Sequence, residues 1–583
     1  MQTVSQAYAE SMKSALRERA YIMVTFGLVN QEIQNKSTIN DGDYTYFSDR
    51  SSVLKKHSDD IVYATLEENF TRVDGSMYFL PRESEGREYH NTGLVSNRLV
   101  SDATCEVTIS LNTMPTDFKG LTINFGENYP VNFDILGSGG QVIEIRDNTE
   151  SEWFTDQVIE ETTYIKLKFY KMKNPKTRLR IYSITFGYGL VYYNDSVLDS
   201  TLETYVSPIC ADVPQIDFTV QLKNYDRYFN VDNPNSAINY FETGQQMGVM
   251  YGYQTPGADE IEWIQGATLQ CSEWESDDST ATIRCYDVFR NMDAEYYKGM
   301  LNVNGKSYYS LAEEVLADIG VTKYEIDESL KSMYSTNPIP RVSHKEALQI
   351  IANACRCILT QSRDGVIQIR SDVQSRTVND FTISRRDMTS YPKVIKQERV
   401  KEVVVPCTIY QEDAKESSLV SETVTVTSNE VETYYVSEPS YGYRVLLDDT
   451  EGRAEITEWG NYYITVRFKV TGSYKLEIMG HQYKSVEKQA VKSLKGKGKT
   501  VTWKNPLVSD MTMANNLAAW LAEYYSAGVE YEYDTRGNPE LDATDIVYQE
   551  NEFRDNMKVD VYRHTIKFQQ AFSGNVTARR IGD

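Results

Sequence analysis

The sequence predicts a mainly β protein of several domains with one small α/β unit, and three observations lead to this prediction. A chain of 583 residues is too long for one hydrophobic core, and at about 150 residues per domain it should form about four units. Apolar and polar residues alternate along many short segments separated by turn residues, which is typical of strands with one buried face. Tyr is frequent, at 43 residues against 6 Trp, and suits half-buried strands and wet interfaces.

Composition and charge exclude several classes of protein. Hydrophobic residues make up 40% of the chain and charged residues 25%, as in globular proteins. The formal net charge of −24 repels nucleic acid, so no nucleic-acid specificity is expected. No stretch approaches the roughly 18 apolar residues of a membrane span, and the N-terminus lacks the features of a secretory signal. The basic run "KSLKGKGK" (492–499) is interpreted as a solvated hairpin tip, with contact to an anionic surface as the alternative.

Seven cysteines are spread thinly along the chain, at positions 105, 210, 271, 285, 355, 357 and 407. An odd number without paired spacing predicts buried thiols in a chain made in a reducing cytoplasm. Only Cys355 and Cys357 have a spacing that suggests a metal or redox pair. They lie where a predicted helix gives way to a strand, and no second ligand pair follows, so simple burial is favoured.

The first third of the chain predicts one helix and then strands. Residues 4–17 have the pattern of an amphipathic helix, and residues 19–29 that of a strand. Between 46 and 190 the strands are short and turns separate them, which favours a β-sandwich. Trp153 is placed in a turn. The predicted strands are "GLTINFG" (120–126), "YPVNFDIL" (129–136), "GQVIEIRDN" (140–148), "TTYIKLKFYKM" (162–172) and "RLRIYSITFG" (178–187).

The middle of the chain predicts a second β segment and an α/β unit. "ATLQCSEW" (267–274) and "TATIRCYDVF" (280–289) read as strands joined by the polar turn "ESDDS" (275–279), and Met247, Val249 and Tyr251 alternate along the strand before them. Two helices follow, each with a capping box, Ser310 with Glu313 and Ser343 with Glu346. Gly320 ends the first helix, and a hairpin turns at Asp364-Gly365.

Strands return after residue 376. "RVKEVVVPCTIYQ" (399–411) alternates well, and residues 416–504 are interpreted as an inserted all-β module. Residues 509–528 predict a long helix with one apolar face, and strands close the chain.

No pattern in the sequence indicates catalysis. The five histidines (57, 90, 344, 481 and 564) have no metal-ligand spacing, and neither a phosphate-binding loop nor a G-x-S-x-G elbow occurs. Glu273 and Glu275 flank Trp274 as a sugar cleft would, but a solvated strand edge is favoured. "ESDDS" lacks the Gly and distal Glu of a calcium loop. We therefore expect no enzyme activity, no catalytic, cofactor-binding or metal residues, and no cofactor.

Two resemblances to known families follow. The strands between 46 and 190, with Trp153 among them, resemble a discoidin or galactose-binding-like jelly roll. That resemblance implies loops at one end that bind glycans, although a purely structural decoration domain is the alternative. No loop ligand is assigned.

The stretch "TRGNPELDATDIV" (535–547), between two predicted strands, carries the second resemblance. It is similar to a turn in the C-terminal barrel of phage tail-hub proteins, through Gly537, Pro539, Glu540, Leu541, Asp542 and Asp545. Segments 222–253, 262–274, 343–369 and 504–525 resemble the hub in layout. The resemblance covers 190–415 and 505–583, together with the N-terminal helix and strand.

The hub resemblance implies a structural component of a bacteriophage or phage-derived tail tip or baseplate. It implies a homotrimeric ring that joins the tail tube or a distal tail protein to spike or tip proteins, near the tape-measure protein. The chain would be assembled in the bacterial host cytoplasm and reside in the virion tail. The alternative function is a carbohydrate-binding tail adhesin that meets a host surface glycan through residues 46–190.

The expected domains combine both resemblances. They are an N-terminal helix and strand of the first barrel (1–45), the inserted jelly roll (46–190), the first hub β-barrel (191–300), the α/β helix-hairpin unit (301–375), the second hub β-barrel (376–415 and 505–583) and the inserted all-β module (416–504).

Overall fold

A computed structural model describes residues 1–29, 33, 36–42, 44–47, 92–100, 104–112, 116–126, 128–181, 183–225, 227–230, 232–233, 244–256, 261–371 and 378–581. The chain divides into two compact units. The first unit comprises Met1–Val24, Tyr192–Arg227 and Met247–Asp583, and the second comprises Thr25–Val191 and Tyr228–Gln246.

The described residues are mainly β, as predicted. Their α-helices are α1 (Gln6–Lys13), α2 (Tyr308–Asp318), α3 (His344–Ala354) and α4 (Met511–Ala527). No described helix is both long and apolar enough to cross a membrane. Up to residue 205 the strands are β1 (Ala20–Val29), β2 (Thr38–Gly42), β3 (Tyr44–Phe47), β4 (Thr92–Leu99), β5 (Cys105–Ser110), β6 (Thr116–Asn124), β7 (Pro130–Gly137), β8 (Val142–Ile145), β9 (Glu152–Thr162), β10 (Tyr164–Met172), β11 (Arg178–Ile181), β12 (Ser183–Thr185), β13 (Gly187–Tyr193) and β14 (Val197–Tyr205).

The remaining strands lie on both sides of α2, α3 and α4. Before residue 412 they are β15 (Gln215–Lys223), β16 (Gln246–Tyr253), β17 (Glu262–Ser276), β18 (Thr280–Tyr286), β19 (Glu295–Tyr296), β20 (Lys306–Ser307), β21 (Tyr324–Ile326), β22 (Tyr334–Ser335), β23 (Val342–Ser343), β24 (Cys357–Gln361), β25 (Ile367–Ser371), β26 (Val378–Ile383), β27 (Lys393–Lys396) and β28 (Val400–Gln411). After it they are β29 (Glu416–Val426), β30 (Val431–Tyr435), β31 (Ser440–Leu447), β32 (Ala454–Trp459), β33 (Tyr463–Phe468), β34 (Gly472–Gln482), β35 (Lys484–Ser493), β36 (Lys499–Thr502), β37 (Val529–Thr535), β38 (Ile546–Asn551), β39 (Arg554–Phe568) and β40 (Phe572–Arg580).

A thirteen-stranded sheet holds many strands of the first unit. In that unit its order is β1-β16-β17-β18-β15-β14-β39-β40-β37-β27, and β38 pairs with both β39 and β26. We call β1 and β14–β18 the first strand group, and β26, β27 and β37–β40 the second strand group. The groups join where β14 pairs with β39, from Ser200↔Phe568 to Tyr205↔Arg563.

The two strand groups lie in the segments expected to form two barrels, but in the described residues neither group closes on itself. The reason is the pairing of β14, which is bonded to β15 on one side and to β39 on the other. It therefore has no free edge with which to close the first group, and the strands form one open sheet.

The alternation along β16 is as predicted, since Met247, Val249 and Tyr251 are fully buried.

The α/β unit has its own core. Helices α2 and α3 pack on the hairpin β24–β25, and β21 adds to this hairpin in parallel. The predicted start of α3 is confirmed, with a capping box between Ser343 and Glu346. The predicted start of α2 is wrong: Ser307, not Ser310, is its N-cap, and the helix begins at Tyr308, whose ring is fully buried in this core.

Strands β28, β35 and β36 form a separate three-stranded sheet that packs against α4. Strand β28, expected in the second barrel, instead pairs antiparallel with β35 and parallel with β36. The basic run 492–499 therefore crosses from one side of β28 to the other and is not a hairpin tip. Its residues are nearly all exposed, as expected. Strands β29–β34 form two further three-stranded sheets around one core.

The second unit contains a five-stranded sheet, β2-β5-β10-β7-β8, and two three-stranded sheets, β11-β4-β3 and β12-β6-β9. Its core includes Ile165, Leu167 and Phe169 of β10, which alternate as predicted. Trp153 lies in β9 and packs on that core, so its placement in a turn is wrong. Residues 48–91 of the expected jelly roll lie outside the described residues.

Candidate functional site

The stretch that carried the hub resemblance forms a loop between β37 and β38. We call residues 536–545 the connector loop. Gly537 has a φ of +68°, and a Cβ there would lie 2.8 Å from the Ser573 carbonyl oxygen. Only glycine fits such a position without strain. The Asn538 side chain accepts a hydrogen bond from the Glu540 amide (3.1 Å), and Asp545 accepts one from the Asp542 amide (2.7 Å). The polar residues thus hold two successive turns.

Two arginines fasten the connector loop to the N-terminal segment. Arg536 donates to the carbonyl oxygens of Ser14 (2.7 Å) and Ala15 (3.2 Å), just after α1. Arg17 donates in the opposite direction, to the carbonyl oxygens of Arg536 (2.8 Å) and Gly537 (2.6 Å). Because each guanidinium satisfies the other segment's backbone, the two segments hold each other in place.

A third arginine joins the connector loop to the α/β unit. Arg363, at the tip of the β24–β25 hairpin, donates Nε to an Asp542 oxygen (2.7 Å) and Nη2 to the Leu541 carbonyl (3.0 Å). Its Nη1 donates to the Gln265 carbonyl in β17 (2.6 Å). One side chain of the α/β unit therefore contacts both the loop and the first strand group.

We call the contacts of Arg363 with Asp542, Leu541 and Gln265 the joint. Burial sets its electrostatics. Burial acts to raise the pKa of Asp542, but the charges of Arg363 and the Met1 amino group outweigh it and lower that pKa. Burial raises the pKa of both Glu540 and Asp545, although the Met1 amino group also contacts Asp545. Among the acids of the connector loop, Asp542 is thus the one whose charged neighbours favour its ionised form.

A cavity of about 270 Å³ lies beside the joint. Its lining includes Gly266 of β17, Arg363, Asp542 and His564 of β39. Burial, followed by the Arg363 charge, lowers the pKa of His564 to about 4, and its Nε2 has no hydrogen-bond partner in the described residues. His564 is therefore a neutral core histidine at neutral pH.

Where the structure describes them, the sequence candidates for chemistry form no reactive cluster. Arg284 bridges Glu273 (3.3 Å) and Glu275 (3.2 Å) on an exposed face, so these two acids form a solvated strand edge, the interpretation favoured from the sequence. Asp277 accepts the amides of Ser279 and Thr280 in the turn, which lowers its pKa to about 2.

The other candidates are histidines and cysteines. His57 and His90 lie outside the described residues, and the remaining histidines are in separate elements. All seven cysteines are buried free thiols. The described part of the chain holds no group of three His, Cys, Asp or Glu side chains able to bind a metal ion.

The second strand group ends at an edge. No described strand pairs with the outer side of β27, and Val394 there is 61% exposed, next to Tyr391 at 86%. The backbone amide of Gln397 donates a hydrogen bond to the Gly528 carbonyl oxygen (2.8 Å). This bond fixes which backbone amides of β27 point toward β37 and which point away, because the two directions alternate along an antiparallel strand. By that alternation the amides of Val394 and Lys396 point outward, away from β37.

Sequence reasoning found the connector loop but missed the residues that anchor it. Arg17, Arg363 and Arg536 were given no anchoring role, because the carbonyl groups that they contact lie up to 522 residues away. The only available signal was Arg536, which stands inside the quoted stretch beside Gly537.

Comparisons with known proteins give matches among solved structures. No family model and no curated protein matches this chain. The 43 kDa tail protein of prophage MuSo2 from Shewanella oneidensis is 12% identical, over 67% of this chain and 94% of its own, with a TM-score of 0.37. The tail protein from Neisseria meningitidis MC58 is 9% identical, over 67% and 93%, with a TM-score of 0.38. Prophage tail protein gp18 from Listeria monocytogenes EGD-e is 9% identical, over 67% and 91%, with a TM-score of 0.36.

All three are tail proteins by name, and two of them are prophage tail proteins, the class that the sequence resemblance named.

Proposed function

We propose that this chain is a structural hub of a phage or phage-derived tail, forming a trimeric ring that joins the tail tube to spike or tip proteins. The observation that carries the proposal is the open sheet of the first unit, in which two strand groups are joined edge to edge by β14 and β39. The sequence resemblance of the connector loop to tail hubs supports the same assignment.

The sheet suggests how copies would assemble. A ring of three chains, each with two strand groups, places six groups around one axis. A six-fold tube and a three-fold spike can then share one adaptor, because closed rotational symmetry lets one surface repeat around an axis. An open sheet also leaves strand edges that pair with other chains unless something covers them, and ring closure covers them.

The edge of β27 is the proposed contact between copies. It presents the outward amides of Val394 and Lys396 and the exposed side chain of Val394, and Tyr391, two residues before β27, is also exposed. Tyrosine and apolar residues on such an edge are typical of a specific interface. Pairing there would extend the sheet from one copy into the next.

Native mass spectrometry of the full chain at micromolar concentration tests the proposal. We expect a trimer for the wild type and monomer for Val394→Pro, because proline removes an outward amide and leaves the β37 ladder intact. Val394→Thr keeps the amide and is the matched control, expected to remain trimeric. A wild-type monomer, with no tail protein able to recruit it, contradicts the hub.

Partners, location and domain assignment follow from the hub proposal. The partners would be the tube or distal tail protein, the spike or tip protein and the tape-measure protein, with assembly in the bacterial cytoplasm and residence in the virion tail. The chain would act without catalysis. We propose the domain boundaries as the sequence predicts them, with 46–190 and 416–504 as insertions into the hub, except that β28 of the 376–415 segment belongs with β35 and β36 in their separate sheet.

A second function, carbohydrate binding through residues 46–190, is favoured by one surface of the second unit. Tyr170 donates to Asp134 (2.7 Å), the Arg146 guanidinium lies 5.7 Å from the Tyr170 ring centre, and Phe154 is 59% exposed elsewhere in the unit. Half-exposed aromatic rings beside charged hydrogen-bonding groups are suited to sugars. A glycan array probed with the full chain should show binding that Tyr170→Ala reduces, and a blank array removes this function.

A further inference from the structure

Two cysteines that the sequence did not pair touch across neighbouring strands. Cys271 in β17 and Cys285 in β18 are register partners in an antiparallel pair, so their side chains leave the sheet on the same face. Their Sγ atoms are 3.3 Å apart, and the residues are 4% and 0% exposed. The spacing of 14 residues carried no signal, because only the strand register brings them together.

We propose that Cys271 and Cys285 are an oxidation site that closes to a disulfide and locks β17 to β18. Facing residues of antiparallel strands have Cβ atoms about 4.5–5.5 Å apart, and a disulfide needs about 3.5–4.5 Å. The strands therefore need to approach by only about 1 Å. Because β17 also pairs with β16, and β18 with β15, the bond would lie inside the first strand group.

The pair that the sequence singled out lacks this geometry. Cys355 ends α3 and Cys357 begins β24, and the Cys357 thiol donates to the Cys355 carbonyl oxygen at 3.7 Å. Both are buried. They are a matched comparison, because both thiols are buried but the two residues are not register partners on neighbouring strands.

The chemistry is thiol–disulfide exchange with a small-molecule disulfide such as oxidised glutathione. One protein thiolate attacks a glutathione sulfur, forming a mixed disulfide and releasing one glutathione thiolate. The second protein thiolate attacks the protein sulfur of that mixed disulfide and releases the second glutathione. Two protein thiols are oxidised to one disulfide, one glutathione disulfide is reduced to two thiols, and the two protons pass to glutathione.

The reaction is expected to be slow. Burial and the neighbouring Cys271 raise the pKa of Cys285, so the reactive thiolate is scarce in the closed sheet. Exchange should then follow local opening of the β17–β18 pair, and its rate should rise with pH and with low concentrations of urea. Closure after the particle leaves the reducing cytoplasm rests on the proposed function, whereas the bond itself does not.

The test starts from the reduced full chain, incubated at mildly alkaline pH in low urea with oxidised glutathione. Unreacted thiols are counted with a maleimide in denaturant, and linked peptides are mapped by mass spectrometry. We expect the seven thiols to fall to five, with one linked peptide joining Cys271 to Cys285. The thermal midpoint of the oxidised chain should rise by about 2–5 °C.

Three variants isolate the pair. Cys271→Ala and Cys285→Ala should form no intramolecular link and show no rise in midpoint on oxidation. Cys355→Ala should still lose two thiols and gain the same midpoint shift. Seven thiols remaining after prolonged incubation, a link between other cysteines, or a link that lowers the midpoint would overturn the proposal. A chain that fails to trimerise but forms the link leaves this inference standing and rejects only the hub.

Discussion

Replacing Gly537 by alanine should destabilise the connector loop through two separable effects. The first is conformational: a φ of +68° costs a residue with a Cβ about 1–2 kcal/mol. The second is steric, because the new Cβ would lie 2.8 Å from the Ser573 carbonyl oxygen and 2.9 Å from its amide nitrogen. Backbone atoms of a paired strand move little, so overpacking adds about 1–3 kcal/mol. The total expected loss is about 2–5 kcal/mol.

Gly320 provides the matched control, since its φ is +75° and a Cβ there would meet no atom within 4 Å. Gly320→Ala should therefore cost only the conformational part, about 1–2 kcal/mol. Hydrogen exchange of the peptides around each site is the appropriate assay, because a chain of several units need not unfold in one step. Amides flanking residue 537 should lose protection by about 30-fold or more, against roughly tenfold around residue 320. Equal losses at the two sites would refute the steric part of the reasoning.

Two further predictions concern the same joint. Arg363→Met should cost about 1–3 kcal/mol, because it removes the Arg363 hydrogen bonds to Asp542, Leu541 and Gln265 while Met1 and Gln2 still face Asp542. Arg385→Met on an exposed surface should leave the urea midpoint unchanged, and equal midpoints for the two variants would contradict the joint. His564 has a folded pKa of about 4 against an ordinary value near 6.5, so the unfolded chain binds its proton first and stability is lost as pH falls through that window, by at most about 3 kcal/mol. His564→Gln should remove this contribution and leave the opposite slope from Asp287, whose pKa burial raises to about 6, so the urea midpoint of the variant should rise relative to wild type as pH falls from 6.5 to 4; an unchanged slope would show that His564 is accessible.

The fold class was predictable because local patterns dictate it. Alternation placed the buried face of β16 and β10, and the capping box at Ser343 and Glu346 placed the start of α3. Local patterns also misplaced elements where burial decided. Ser310 has the right spacing for a cap, but the helix begins earlier, with Ser307 as its N-cap, because the Tyr308 ring is buried in the core.

The joining of the two strand groups and the anchoring of the connector loop could not be predicted from the sequence alone. The β14–β39 pairing links residues more than 350 positions apart, and nothing in the sequence of either strand indicates which strand it pairs with. Arg363 and Arg536 donate hydrogen bonds to backbone carbonyl groups. Every residue has such a group, so the identity of a residue does not show that it is their partner. Gly537 was found because a backbone constraint does leave a trace in the residue that satisfies it.

A cryo-electron reconstruction of the particle that carries this chain tests the central claim most directly. Our account predicts three copies around the axis at the distal end of the tail tube, with their two strand groups alternating as six positions and β27 at a contact between neighbouring copies. Density for the chain elsewhere in the particle, or at the tip without three-fold symmetry, would contradict it.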